Sequence, residues 1–139
     1  MSKLVVDASV AAKWLVAEPL SDKALTVLAR PEDLVAPDLL AAEVANVLWK
    51  KVRSAELTEV MAVERFEALR NMGLELVPTP PLAARALSFA IKAKRTVYDA
   101  LYLALAEEHD CQFVTADEKF VNAVKQIPEG KRAVWLGTF

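Results

Sequence analysis

The chain has 139 residues, 55% apolar and 26% charged, a balance suited to a globular protein with ample core formers. A net charge of −2 excludes holding a polyanion by overall basicity, so such a partner needs local patches or bound cations. Cys111 stands alone and excludes an internal disulfide. With His109 it cannot complete a four-ligand zinc site, and three glycines cannot build a glycine-rich phosphate loop.

In chain order, Lys3–Val6 reads as a strand and Ser9–Val16 as a helix. Asp7 and Lys13 interrupt this early apolar run, which argues against a signal segment. Pro19 breaks the pattern before a helix at Ser21–Leu28, and Asp33–Ala36 fits a short buried strand. Pro37-Asp38 opens a helix through Val52; Thr58 caps another to Arg70, which Gly73 closes off. Leu74–Val77 is a third strand, bounded by Pro78, Pro80 and Pro81 before a helix at Leu82–Lys92. The stretch TVYDALYLALAE, 96–107, is a helix apolar on nearly every side and therefore expected to be buried. Gln112–Thr115 is the next strand, Lys119–Lys125 a short helix, and Ala133–Leu136 a closing strand. This alternation predicts an α/β fold with a mostly parallel sheet covered on both faces. Paired helices after the first and second strands predict a helical lobe above it. The longest apolar stretch, ALYLALA, falls well short of the ~20 residues a membrane span needs. The expectation is a soluble, cytoplasmic chain forming a single domain, 1–139.

Four carboxylates stand out, and each has an ordinary structural explanation. Asp7 and Asp117 follow strands and precede helices, where an aspartate commonly caps the helix. Ligands in open α/β sheets also bind at those strand ends. Ser9 and Thr115 lie beside these acids with hydroxyls able to hold them. Glu43 borders the apolar stripe of its helix, within a turn of Leu39, Leu40 and Val47 and beside Asn46. Asp99 can complete a capping box with Thr96. No histidine and no buried-looking arginine lies near any of them in sequence. If the four converge, their repulsion must be relieved by raised pKa values or by cations. An all-oxygen set suits Mg²⁺ or Mn²⁺, and phosphodiester hydrolysis is the matching reaction class.

Taken together, VVDAS, the glutamate of LLAAEVANVLW, YDALYLALA and FVTADEKF resemble the PIN-domain ribonucleases, most closely the VapC-type toxins of toxin–antitoxin pairs. The resemblance spans essentially the whole chain. It implies an α/β/α sandwich with a central parallel sheet of four to five strands. It also implies an acidic quartet, Asp7, Glu43, Asp99 and Asp117, serving catalysis and metal binding, supported by Ser9, Asn46 and Thr115. One or two Mg²⁺ or Mn²⁺ ions, endonucleolytic RNA cleavage, a homodimer and a small antitoxin partner are implied with it. Some relatives carry a further acid where this chain has Lys119, which bears on a second ion.

The implied chemistry is in-line attack of water on a backbone phosphorus. Asp7 and Asp99 are direct ligands of the principal ion, Asp117 binds that ion or a second one, and Glu43 orients the water or takes its proton. Lys13, Lys92, Lys94, Arg95 and Lys119 are candidate phosphate contacts. Trp14 and Trp49 suit core, dimer or partner packing. Two other readings stand beside this one: an aspartate-dependent phosphatase or phosphoryl-acceptor domain, and a non-catalytic PIN-like binding module. A haloacid-dehalogenase-like site would have a second acid where Ser9 stands.

Overall fold

Five short runs rich in branched apolar residues form one parallel sheet in the computed structural model, which describes residues 2–139. The strands are β1 (Lys3–Val6), β2 (Asp33–Pro37), β3 (Glu75–Val77), β4 (Gln112–Thr115) and β5 (Ala133–Trp135). They lie in the order β3-β2-β1-β4-β5, and every neighbouring pair is parallel. The helices are α1 (Ala8–Leu15), α2 (Ser21–Leu28), α3 (Leu39–Arg53), α4 (Glu59–Leu69), α5 (Ala83–Ala93), α6 (Val97–Glu108) and α7 (Glu118–Val124). Short 3-10 helices occupy Pro80–Leu82, Pro128–Arg132 and Leu136–Thr138.

Two helices separate β1 from β2 and two more separate β2 from β3, as the sequence predicts, and α1, α3 and α4 pack on one another as the lobe. α6 lies against β1, β2 and β4, with Ala100 to Ala106 all buried. That accounts for its uniform apolarity: a helix touching core on several sides needs no polar stripe. Leu4, Val5, Val6, Val35, Phe113 and Val114 form the sheet's part of the core.

The chain builds outward from β1 through β2 to β3, then returns to place β4 on the other side of β1. The strand order therefore reverses between β1 and β4. Loops leaving the carboxyl ends of those two strands diverge there and open a crevice. Asp7 follows β1 and Asp117 follows β4, so topology alone puts two acids at that crevice.

The predicted boundaries hold to within about two residues. Pro80 and Pro81 lie in a 3-10 helix ahead of α5 rather than in a plain loop. Leu136 leaves the sheet to begin the last 3-10 helix, so β5 is one residue shorter than expected. Gly73 takes φ +78°, a conformation only glycine adopts without strain. Among the described residues, no helix is long and apolar enough to cross a membrane.

Candidate active site

Asp7 leaves β1 in extended conformation and caps α1. Its Oδ1 accepts from the Val10 amide at 3.2 Å and from Ser9 Oγ at 2.5 Å, while Oδ2 accepts from Thr115 Oγ1 at 2.5 Å. The Ala116 amide donates to Ser9 Oγ and the Asp117 amide to Thr115 Oγ1, so both hydroxyls are themselves held. Thr115 is fully buried. Burial lifts the Asp7 carboxyl from 3.8 to about 6, against the pull of the Ser9, Thr115 and Val10 bonds and with a small push from Glu43.

Asp117 repeats the arrangement at the next strand end. Its Oδ1 accepts from the Phe120 amide at 3.1 Å and caps α7. Asp99 sits in the first turn of α6, whose N-cap Thr96 accepts from the Asp99 amide at 3.1 Å. Only this half of the expected capping box forms. The Asp99 carboxylate turns to Arg95, whose Nη2 lies 3.2 Å from Asp99 Oδ2 and 2.9 Å from Asp117 Oδ2. The Asp99 and Asp117 side chains are 38% and 40% exposed, so these acids stand at the rim of the core rather than inside it. Asp7, Asp99 and Asp117 line one narrow cleft, with Tyr102, Phe113, Thr115 and Phe120 as its inner wall. Tyr102 stacks on Phe113 at 5.6 Å between ring centres, and Phe120 meets Phe113 edge-on at 5.7 Å, which makes that wall rigid.

Glu43 comes from the lobe. α3 buries Leu40, Val44 and Leu48, and Glu43 lies beside that stripe as its position predicts. Tyr102, otherwise buried, donates its hydroxyl to Glu43 Oε1 at 2.5 Å. Burial raises the Glu43 pKa, the Tyr102 bond lowers it, and the Asp99 charge raises it again. Burial first, then the Glu43 bond, pushes the Tyr102 phenol far up, so its proton stays on the tyrosine and is donated. Glu43 also faces an open groove lined by Ala8, Ser9, Asn46, Val47 and Lys50. Asn46 shares that groove but, among the described residues, makes no hydrogen bond to Glu43.

The candidate phosphate contacts divide. Lys92, Lys94 and Lys119 are exposed. Lys13 is not free: it pairs with Glu18 at 3.7 Å, as Lys51 does at 3.3 Å. Arg95 points inward to two acids of the quartet, contrary to its expected place among outward cations; its Cζ also lies 5.6 Å over the Phe120 ring. An arginine does stand among the acids, because α5 ends in a tight turn that sequence patterning did not reveal. Two residues escaped the sequence reading. Tyr102 follows Asp99 by three positions and so shares its helix face, a signal that was available. Lys50 lines the Glu43 groove but reads in sequence as part of a plain basic face. Trp14 is core, its Nε1 donating to the Ala24 carbonyl at 2.8 Å, whereas Trp49 is 54% exposed with Arg53 over its ring.

As the side chains stand, no three of the described histidines, cysteines or acids form a ready ligand set. The donors nonetheless suit a hard divalent cation: three carboxylates line one cleft, and a guanidinium already bridges two of them as a cation in their midst. Cation attraction at this place is a property of the residues themselves.

The model of the PIN domain matches residues 4–126. The chain belongs to the PIN-domain family. It is 38% identical to ribonuclease VapC3 of Pyrobaculum aerophilum over 119 residues, which are 84% of this chain and 91% of that protein. It is 32% identical to ribonuclease VapC1 of Mycobacterium tuberculosis, over 88% of this chain and 92% of the other. Within the PIN domains it is thus of VapC type. The fold superimposes on the crystal structure of PAE2754 from Pyrobaculum aerophilum with a TM-score of 0.71 at 25% identity, over 99% of this chain and 85% of that one. A toxin–antitoxin complex from Klebsiella pneumoniae shares the fold at a TM-score of 0.65 and 17% identity, over 94% and 95% of the two chains.

Proposed function

We propose that this PIN domain hydrolyses RNA phosphodiester bonds in the presence of Mg²⁺ or Mn²⁺, as the toxin of a toxin–antitoxin pair. The observation carrying the reading is the convergence of Asp7, Asp99 and Asp117, from three separate elements, on one cleft at the strand-order reversal. The VapC-type relatives support the same reaction. Asp7, Asp99 and Asp117 would hold the ion, with Asp117 also available to a second one. When bound, the ion supplies Lewis acidity and neutralises phosphate charge. Glu43, steadied on one oxygen by Tyr102, orients the attacking water or accepts its proton on the other; burial raises its pKa above the ordinary carboxylate value, which makes it a stronger base. Ser9 and Thr115 hold Asp7 in place, Asn46 lines the approach beside Glu43, and Lys92, Lys94, Lys119 and Lys50 are the exposed cations available to phosphates.

The test is cleavage of RNA by the purified chain with Mg²⁺, with Mn²⁺ or with EDTA, beside Asp7→Asn and Asp99→Asn. Cleavage is expected to need the ion and to fall by about 100-fold or more in each variant. Asparagine preserves the cap at position 7, so circular dichroism should show an intact fold. Unchanged cutting in either variant removes that residue from the mechanism. Activity that persists unchanged in EDTA removes the ion.

The proposal extends to partners. A small antitoxin is supported by the toxin–antitoxin neighbour and by an apolar groove between α3 and α4 lined by Leu48, Trp49, Val63 and Phe66. A homodimer is supported by the exposed ridge of Leu87 and Ile91 on α5 and by the exposed Tyr98 at the start of α6. We also take 1–139 as a single domain acting in the cytoplasm, where the free thiol of Cys111 stays reduced.

A further inference from the structure

We infer that Arg95 is a built-in counter-cation of the candidate metal site, and that a divalent ion must displace its guanidinium to bind. The inference rests on the metal-site reading above and adds a residue that governs ion affinity. Its first support is the choice of atoms. A single nitrogen, Nη2, takes Asp99 Oδ2 at 3.2 Å and Asp117 Oδ2 at 2.9 Å. Asp117 Oδ1 is engaged by the Phe120 amide, so Arg95 holds the oxygen that remains for a ligand. Guanidinium and ion therefore compete for the Asp117 oxygen that faces the cleft.

The backbone makes the placement deliberate. α5 ends with Lys94 in the left-handed region, φ +58°, a conformation that costs a non-glycine residue strain. The next amide, of Arg95, turns back to the Ala90 carbonyl at 3.1 Å. This reversal brings Arg95 one helical turn ahead of Asp99, on the same side as the cleft. Phe120 then backs the guanidinium at 5.6 Å, so its position is set from two sides.

The pairing is also weak enough to yield. Arg95, Asp99 and Asp117 are 26%, 38% and 40% exposed, so water screens both contacts. A monocation holding two such acids steadies the ion-free cleft, yet a dication with hard oxygen ligands can replace it. Because the two exclude each other, ion binding is weakened by whatever Arg95 contributes to the ion-free state.

Two measurements on the full chain test this without reference to RNA cutting. In titration calorimetry with Mn²⁺ alone, Arg95→Gln should bind about fivefold tighter than the parent chain, the scale expected of a screened ion pair. In the unsubstituted chain, the guanidinium NMR signals of Arg95 should shift on Mg²⁺ addition and lose their protection from solvent exchange. This second measurement stands even if the variant folds poorly. A parent chain that binds ion while the Arg95 signals stay unchanged overturns the inference and leaves the metal site intact. Equal or weaker Mn²⁺ affinity in a folded Arg95→Gln chain does the same. A parent chain that takes up neither ion overturns the inference together with the metal-site reading beneath it.

Discussion

Asp7 and Asp117 each commit one oxygen to a helix cap and turn the other toward the cleft, where Thr115 meets the first and Arg95 the second. A carboxylate has enough lone pairs for both duties, so the capping and functional explanations of these acids are compatible. Asp7 bears the greater strain of burial. Its carboxyl rises from 3.8 unfolded to about 6 folded, so between those values the folded chain binds the proton more tightly. Its contribution to stability is therefore complete below about pH 4 and lost as pH rises through about 6, costing about 3 kcal/mol by pH 7. In EDTA, the melting temperature should fall between pH 5 and pH 7. Asp7→Asn should raise it at pH 7 and flatten most of that slope, with a residue left by Glu43, whose shift has the same sign. An Asp7→Asn chain less stable than its parent at pH 7 contradicts this account. Tyr102→Phe tests the other carboxylate: loss of the hydroxyl on Glu43 should leave stability within about 1 kcal/mol. Cleavage should slow about tenfold, measured at saturating RNA beside thermal melting.

At the scale of elements, helix ends decide where functional side chains point. α3 and α5 both close on a residue in the left-handed region that is not glycine, Ala55 at φ +62° and Lys94 at φ +58°. After α3 the reversal returns the Glu56 amide to the Lys51 carbonyl; after α5 the same reversal delivers Arg95 to the cleft. Ala55 lies in the turn after α3, away from the residues of the cleft, so its strain can be relieved without touching the acids. Ala55→Gly should stabilise the chain by about 0.5–1 kcal/mol, read as a higher urea midpoint with an unchanged slope. The lobe shows a second element-level effect. α3 offers Leu40, Val44 and Leu48 to the core, and Glu43 beside them reaches the site because α6 presents Tyr102 opposite it.

At the scale of the molecule, β1 is the central strand of the sheet although it opens the described chain, pairing with β2 on one side and β4 on the other. Removing either neighbour exposes core residues such as Val5 and Phe113, so the sheet cannot be taken apart in independent halves. Unfolding should accordingly be one cooperative transition, with far- and near-ultraviolet circular dichroism tracing the same curve. Two separated transitions would assign the lobe of α1, α3 and α4 a stability of its own. Packing is close enough at Gly130 that a Cβ there would lie 1.8 Å from the Val124 carbonyl oxygen, which ties the 3-10 helix Pro128–Arg132 to α7.

Elements and their order were legible in the residues. β-branched runs bounded by proline and glycine marked the strands, and Thr58 and Thr96 marked the helix starts where they cap. The four acids were conspicuous in the sequence too, at strand ends and beside an apolar stripe, and three of them, Asp7, Asp99 and Asp117, line one cleft. Tertiary structure alone decided the rest. Strand order brings Asp7 and Asp117 together across 110 positions of chain, and the turn after α5 swings Arg95 from an apparent surface cation into their midst. Periodicity records which face of an element is buried, a local property; it carries no information on which distant element that face will meet. The sequence put Asp99 in the first turn of a largely buried helix, and its side chain stands at the rim because only the sheet determines which end of α6 reaches water.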